Sequence, residues 1–174
     1  PSLKFQVGLK GGGELNHRRG KMFSQTMRRW ITTTPATIKK LRLPATFTIQ
    51  TRVQDTDLQG HINNVKYYEF MDTAICSWSQ AGGDNLQHNW RFIAETGLRY
   101  RLPAHYPDNV EVRFGTSNVG NSSVEYQVEM YNEKDELLVD GKFVHVYVTK
   151  AGKPHRIPEV SRALLNSIGI ASET

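Results

Sequence analysis

Carboxylate, amide and imidazole side chains crowd into ten residues of this chain, in the run Asp55-Thr56-Asp57-Leu58-Gln59-Gly60-His61-Ile62-Asn63-Asn64. That run leads directly into Val65-Lys66-Tyr67-Tyr68-Glu69-Phe70. It joins the end of an alternating, strand-like pattern to the start of an apolar, helical one. These groups therefore share a single strand-to-helix turn. A helix N-terminus carries unpaired backbone N–H groups and a partial positive charge, and can hold a developing oxyanion. A carboxylate beside such a tip is what acyl-transfer chemistry requires. The plainer reading of a generic D-x-D turn is a set of Asx turns and a helix cap.

The elements that must position these groups are legible in the surrounding pattern. From Thr46 to Gln54, Phe47, Ile49, Thr51 and Val53 alternate with Thr48, Gln50 and Arg52, which predicts a half-buried strand. From Asn64 the period changes. Val65, Tyr68, Met71, Ile75 and Trp78 make one helical stripe, and Tyr67, Phe70 and Ala74 make the neighbouring face apolar. A helix greasy over most of its circumference is expected to be enclosed, and Gly82-Gly83 should end it. Four further strand-like stretches fall near 90–101, 109–119, 122–132 and 137–149, with polar turns at 119–122 and 132–136. A short amphipathic helix follows at about 158–168, opened by Pro158. One long apolar helix followed by an antiparallel meander predicts an α+β unit, its sheet of about five strands curled around the helix.

The string D-x-D-x-x-G-H-I-N-N-x-x-Y-Y-E resembles the hotdog-fold acyl thioesterases, the group that includes 4-hydroxybenzoyl-CoA thioesterase, its bacterial relatives and the plant acyl-ACP thioesterases. The likeness runs from about Thr46 to Leu165. It includes Arg99-Tyr100-Arg101-Leu102-Pro103, Asp108-Asn109-Val110, and Gly152-Lys153-Pro154 followed by Ile157-Pro158. It implies a hotdog fold, an acyl-CoA substrate and hydrolysis of its thioester, with coenzyme A as part of the substrate and no resident cofactor. It also implies at least a homodimer, with a homotetramer as a further possibility, its sheets joined edge to edge and its active sites at the subunit interface.

Residue by residue, the resemblance makes Asp57 the catalytic carboxylate, as nucleophile or as base for a water. Gln59 and His61 would position or polarise that water, and the N–H groups of Asn64 and Val65 would hold the oxyanion. Asn63 and Asn64 also fit turn and N-cap roles, and His61 also fits a local backbone contact. Asp55 reads as a strand-end residue bonding backbone amides, and Gly60 as a sharp turn. Glu69 and Asp72 read as solvated or interface carboxylates. Arg99, Arg101, Lys150, Lys153 and Arg156 are candidates for the phosphates of coenzyme A, against the common alternative of solubilising surface charge. Cys76, the single cysteine, lies on the apolar helix and reads as a small hydrophobe.

Charge and composition limit the alternatives. Of 22 basic residues ten lie in 1–43, against one of the 17 acidic residues, so the basicity belongs to an arm and the remainder is mildly acidic. The chain therefore divides into a basic extension, 1–43, and a hotdog domain, 44–174. A single cysteine excludes an internal disulfide. The six histidines lack zinc spacing, so no metal site is expected. No apolar run approaches membrane-spanning length. Within the arm, Met22–Thr34 combines Arg, hydroxyl and bulky apolar residues without an acid, which describes a mitochondrial presequence. The alternatives are a disordered basic tail on a cytoplasmic protein, or an arm contacting nucleic acid or an assembly such as the ribosome. A non-catalytic hotdog domain that binds acyl groups or serves a mitochondrial assembly, and a dehydratase or hydratase on the same fold, are the competing functions.

Overall fold

The structure, a computed structural model, describes residues 43–170, so the arm apart from Leu43, with the expectations placed on it, lies outside the described residues. Five strands and two helices follow in the order β1 (Ala45–Gln50), α1 (Asn64–Ala81), β2 (Arg91–Tyr100), β3 (Asn109–Val119), β4 (Ser123–Tyr131), β5 (Leu137–Tyr147) and α2 (Glu159–Ser167). All strand pairs are antiparallel, in the spatial order β1-β3-β4-β5-β2. Inward residues Val110, Val112 and Phe114 of β3, Val124, Tyr126, Val128 and Met130 of β4, and Phe143 and Tyr147 of β5 form the core. Tyr67, Phe70, Met71, Ala74 and Ile75 of α1 close onto them, and Trp78 sets its ring edge-on to Phe114 at 5.7 Å. The alternating strands bury one face and the helix buries one stripe, the arrangement their two periods require.

Two expectations are corrected. The first strand stops at Gln50 rather than Gln54, and Val53–Asp55 turn as a single 3-10 helix. The cause is Asp55, whose carboxylate accepts the Arg52 N–H at 2.8 Å and so closes a turn in place of an extended ladder. Helix α1 is also not enclosed all round. Val65 is 70% exposed and Tyr68 and Cys76 are half-buried, because the helix packs mainly over β1 and β3. Strand β2 lies at the sheet edge, with Phe92 53% and Ile93 55% exposed.

The C-terminal end of α1 is fixed by buried polar contacts. Gly83 takes φ +88°, which favours glycine, and Asp84 accepts hydrogen bonds from Ser79 Oγ (2.9 Å), Ser161 Oγ (2.8 Å) and Asn89 Nδ2 (2.6 Å), with Arg91 Nη1 at 3.6 Å. Edge strand β2 approaches β5 closely at Gly141, where an added Cβ would lie 2.1 Å from the Gly97 carbonyl oxygen. Among the described residues no helix is long and apolar enough to cross a membrane.

Candidate functional site

The two carboxylates of D-x-D have different surroundings. Asp55 is fully buried and binds Arg52 through the backbone N–H, through Nε at 3.2 Å and through Nη2 at 3.0 Å, with Lys66 Nζ 3.4 Å away. Burial alone would raise its pKa. The Arg52 bonds and then Lys66 outweigh that, and the carboxyl is held below its ordinary value. Asp55 is thus a charged clasp joining the 3-10 turn to the first turn of α1.

Asp57 is half-buried and organises the next turn. Its Oδ1 accepts the N–H of Gln59 at 2.8 Å and of His61 at 3.1 Å, while its own N–H donates to the His61 carbonyl at 2.8 Å. The Gly60 N–H returns to the Asp57 carbonyl at 3.1 Å, and Gly60 takes φ +80°, which favours a residue without Cβ. Among the described residues the other oxygen, Oδ2, accepts no hydrogen bond. It is the carboxylate edge open for chemistry.

Every backbone donor from Gln59 to Lys66 can be followed to its acceptor, with one exception. Ile62 donates to Ala104 O (2.8 Å) and Asn63 to Asp55 O (2.8 Å). Val65 donates to Asn63 Oδ1 (3.0 Å) and Lys66 to Asn63 O (2.8 Å). Asn64, the first residue of α1, is left with an N–H that meets no acceptor among the described residues. The expectation of two oxyanion donors is corrected accordingly. Asn63 is the N-cap and occupies the Val65 N–H, so of that pair only Asn64 offers a free donor.

The remaining candidates separate. His61 bridges His105 across an isolated antiparallel pair, with ring centroids 5.1 Å apart in an edge-on contact. The Gln59 side chain is exposed, and its backbone N–H is the part bonded to Asp57. Arg99 and Arg101 lie at the C-terminal end of β2, where the Tyr100 hydroxyl reaches the Asn64 carbonyl at 3.0 Å. Arg101 Nε also pairs with Asp140 at 2.6 Å. Lys153 and Arg156 lie beyond the other end of β2, past Tyr147, which pairs with Arg91. With a rise of about 3.3 Å per residue, the two sets are roughly 30 Å apart along the strand. One bound phosphate cannot touch all four within a subunit, and Arg156 is paired with Glu159 at 2.8 Å. Cys76 Sγ contacts Asp72 Oδ1 at 3.8 Å, and burial and then Asp72 push the thiol pKa up, which suits an inert side chain.

Sequence reasoning missed the residues that hold the turn from outside. Tyr100 ends β2, Ala104 and His105 come from the segment after it, and Tyr67 accepts the Ala104 N–H at 3.2 Å. Their partners are 36 to 44 positions away in the chain for Tyr100 and His105, beyond the reach of local spacing. The one local signal was Pro103, which ends the strand next to the turn.

A five-stranded antiparallel sheet in this order, packed on one long helix with an open carboxylate before its N-terminus, is the hotdog architecture of thioester hydrolases. Residues 51–166 match the model of the thioesterase-like superfamily, and the chain belongs to that family. It is similar to the PA5185 protein of Pseudomonas aeruginosa, at 30% identity and TM-score 0.71 over 75% of this chain and 95% of that one. A Thermus thermophilus thioesterase complexed with coenzyme A and zinc is 25% identical, with TM-score 0.65 over 72% of this chain and 95% of that one. The 1,4-dihydroxy-2-naphthoyl-CoA thioesterase of Synechocystis shares the fold at 18% identity, with TM-score 0.67 over 71% and 96%. No curated protein sequence matches the chain.

Proposed function

We propose that this protein hydrolyses an acyl-CoA thioester to the free acid and coenzyme A. The observation that carries this reading is the Asn64 N–H at the tip of α1, which meets no acceptor among the described residues. The Asn64 N–H stands at the positive end of α1 while Asp57 Oδ2 remains open in the preceding turn. A thioester carbonyl is electrophilic because sulfur donates poorly into it, and the thiolate leaves readily. Asp57 attacks that carbonyl or takes a proton from the attacking water, with Gln59 and His61 orienting the water. The carbonyl oxygen becomes an oxyanion that accepts the Asn64 N–H. Collapse of the tetrahedral species breaks the C–S bond and releases the thiolate. In the base route the proton held by Asp57 passes to that thiolate. In the nucleophile route a water then hydrolyses the aspartyl anhydride to the free acid and restores Asp57. One such donor contributes about 3–4 kcal/mol to lowering a barrier of this kind.

Coenzyme A enters as part of the substrate, and no resident cofactor is needed for these steps. Arg99 and Arg101, at the same end as the helix tip, are the candidates to meet its phosphates, Arg101 by exchanging its pairing with Asp140. Lys153 and Arg156 would serve a site only across a subunit boundary. The working form is a homodimer through β2, whose ten-residue edge exposes Phe92 and Ile93, a surface that a lone subunit leaves open to water. The composition of Met22–Thr34 supports a mitochondrial location.

The test is thiol release from acyl-CoAs of varied chain length and aromaticity, comparing the protein with its Asp57→Ala variant. Hydrolysis should be measurable for at least one acyl class and fall by about 10²–10⁴-fold in the variant. Equal rates in the two proteins, or no release from any thioester, would overturn the assignment.

A further inference from the structure

The strand β2 and the segment that follows it grip the reactive turn from outside. The Tyr100 hydroxyl donates to the Asn64 carbonyl at 3.0 Å, and its ring stands edge-on to Tyr67, with centroids 5.5 Å apart and planes at 80°. Tyr67 in turn accepts the Ala104 N–H, and the Ala104 carbonyl accepts the Ile62 N–H. We propose that Tyr100 is a positioning residue for the oxyanion donor, tying the open sheet edge to the first peptide groups of α1. The proposal rests on the reading of the Asn64 N–H given above.

The argument is one of constraint. The Asn64 N–H lies in the plane of the 63–64 peptide unit, and the 64–65 unit, joined to it at the Asn64 Cα, limits how far that plane can turn. The 63–64 unit is held by the Asn63 carbonyl, which accepts the Lys66 N–H. The 64–65 unit is held at one end by Val65 N–H bonding Asn63 Oδ1 and at the other by Tyr100. The other holds lie within the turn and the helix: the two from Asn63, and the i to i+4 ladder of α1, which the Asn64 carbonyl joins. Tyr100 supplies the hold that comes from another element, and it is the last residue of an edge strand. Burial, then the nearby Tyr68 and Tyr67, push the Tyr100 pKa up, so its proton is present for donation through the neutral range.

Tyr100→Phe keeps the ring and its contact with Tyr67 and deletes only the O–H. Its kcat should fall about five- to tenfold with KM within about twofold, the loss of one hydrogen bond made to a group that acts in the transition state. Amide exchange read by NMR provides a measure independent of turnover. The Val65 N–H should exchange several-fold faster in the variant, while Val112 in β3 is unchanged. Unchanged Val65 exchange overturns the proposal whatever the catalytic rates, as does a rise in KM at constant kcat. A wild-type protein inert on every thioester would remove the hydrolase reading instead, and faster Val65 exchange would then still sustain the tie between Tyr100 and the turn.

Discussion

Replacing each aspartate of D-x-D by asparagine should separate folding from chemistry. Asp55→Asn removes a negative charge that is wholly out of water and accepts one backbone and two guanidinium hydrogen bonds, with an ammonium at 3.4 Å. A hydrogen bond to a charged group contributes roughly 1.5–3 kcal/mol. The Arg52 side chain is half exposed and Lys66 a quarter, so both regain water when the carboxylate is lost. The asparagine can also still accept the Arg52 N–H. Net destabilisation of about 2 kcal/mol follows, or roughly 5–10 °C in Tm for a domain of this size. Asp57→Asn keeps an oxygen for the Gln59 and His61 N–H groups, so Tm should move by no more than about 2 °C while thiol release falls by about 10²–10⁴-fold. Thermal unfolding and thiol-release rates, measured on both variants, decide the matter. Loss of activity at unchanged Tm in Asp55→Asn, or a large Tm loss in Asp57→Asn, would refute the division of labour.

Three further outcomes can be measured. Burial, and then Arg91, push the His145 pKa down to about 3, so the folded protein holds this ring neutral. Its folded value lies below the unfolded one of about 6.5, so the unfolded state binds the extra proton, and stability should fall as pH drops from about 6.5 towards 3. The loss is about 2 kcal/mol at pH 5, and urea unfolding of His145→Phe should show a flatter decline; parallel declines would contradict it. Gly141→Ala would set a Cβ against the Gly97 carbonyl, so β2 should detach from β5 with a loss of about 2 kcal/mol or more, read as new exchange of the β2 amides; a fully protected β2 would disprove the close approach. Ile93→Lys, near the start of the exposed edge, should convert the proposed dimer to monomer in light scattering at low micromolar concentration, and an unchanged mass would place the subunit contact elsewhere.

What was readable in the sequence was local. The change of period at Asn64, the Asn63 cap, the glycine at position 60 and the alternation within each strand all act over a few residues, and apart from the end of β1 the strands and helices lie close to where those signals put them. The end of β1 was misplaced because Thr51 and Val53 continue the alternating pattern while Asp55 bonds backward to Arg52 and closes a turn. Val65 belonged to the helical stripe by spacing, yet it faces outward because α1 lies toward β1 and β3. The split between Arg99 and Arg101 on one side and Lys153 and Arg156 on the other follows from the register of β2 on β5, which no short spacing encodes. For the same reason Tyr100 could not be connected to Asn64 before the strands were paired.

The reactive turn is held by main-chain atoms, by Asp55, Asp57 and Asn63 within it, and by Arg52, Tyr67 and Tyr100 around it. The side chains of Val53, Leu58 and Val65 around it are exposed. A lineage could therefore exchange those outward groups, and change which acids it releases, without dismantling the device that breaks the bond. The carboxylate-bearing turn and its exposed rim are separable parts of the structure, so diversification within this thioesterase-like family can proceed by repainting the rim.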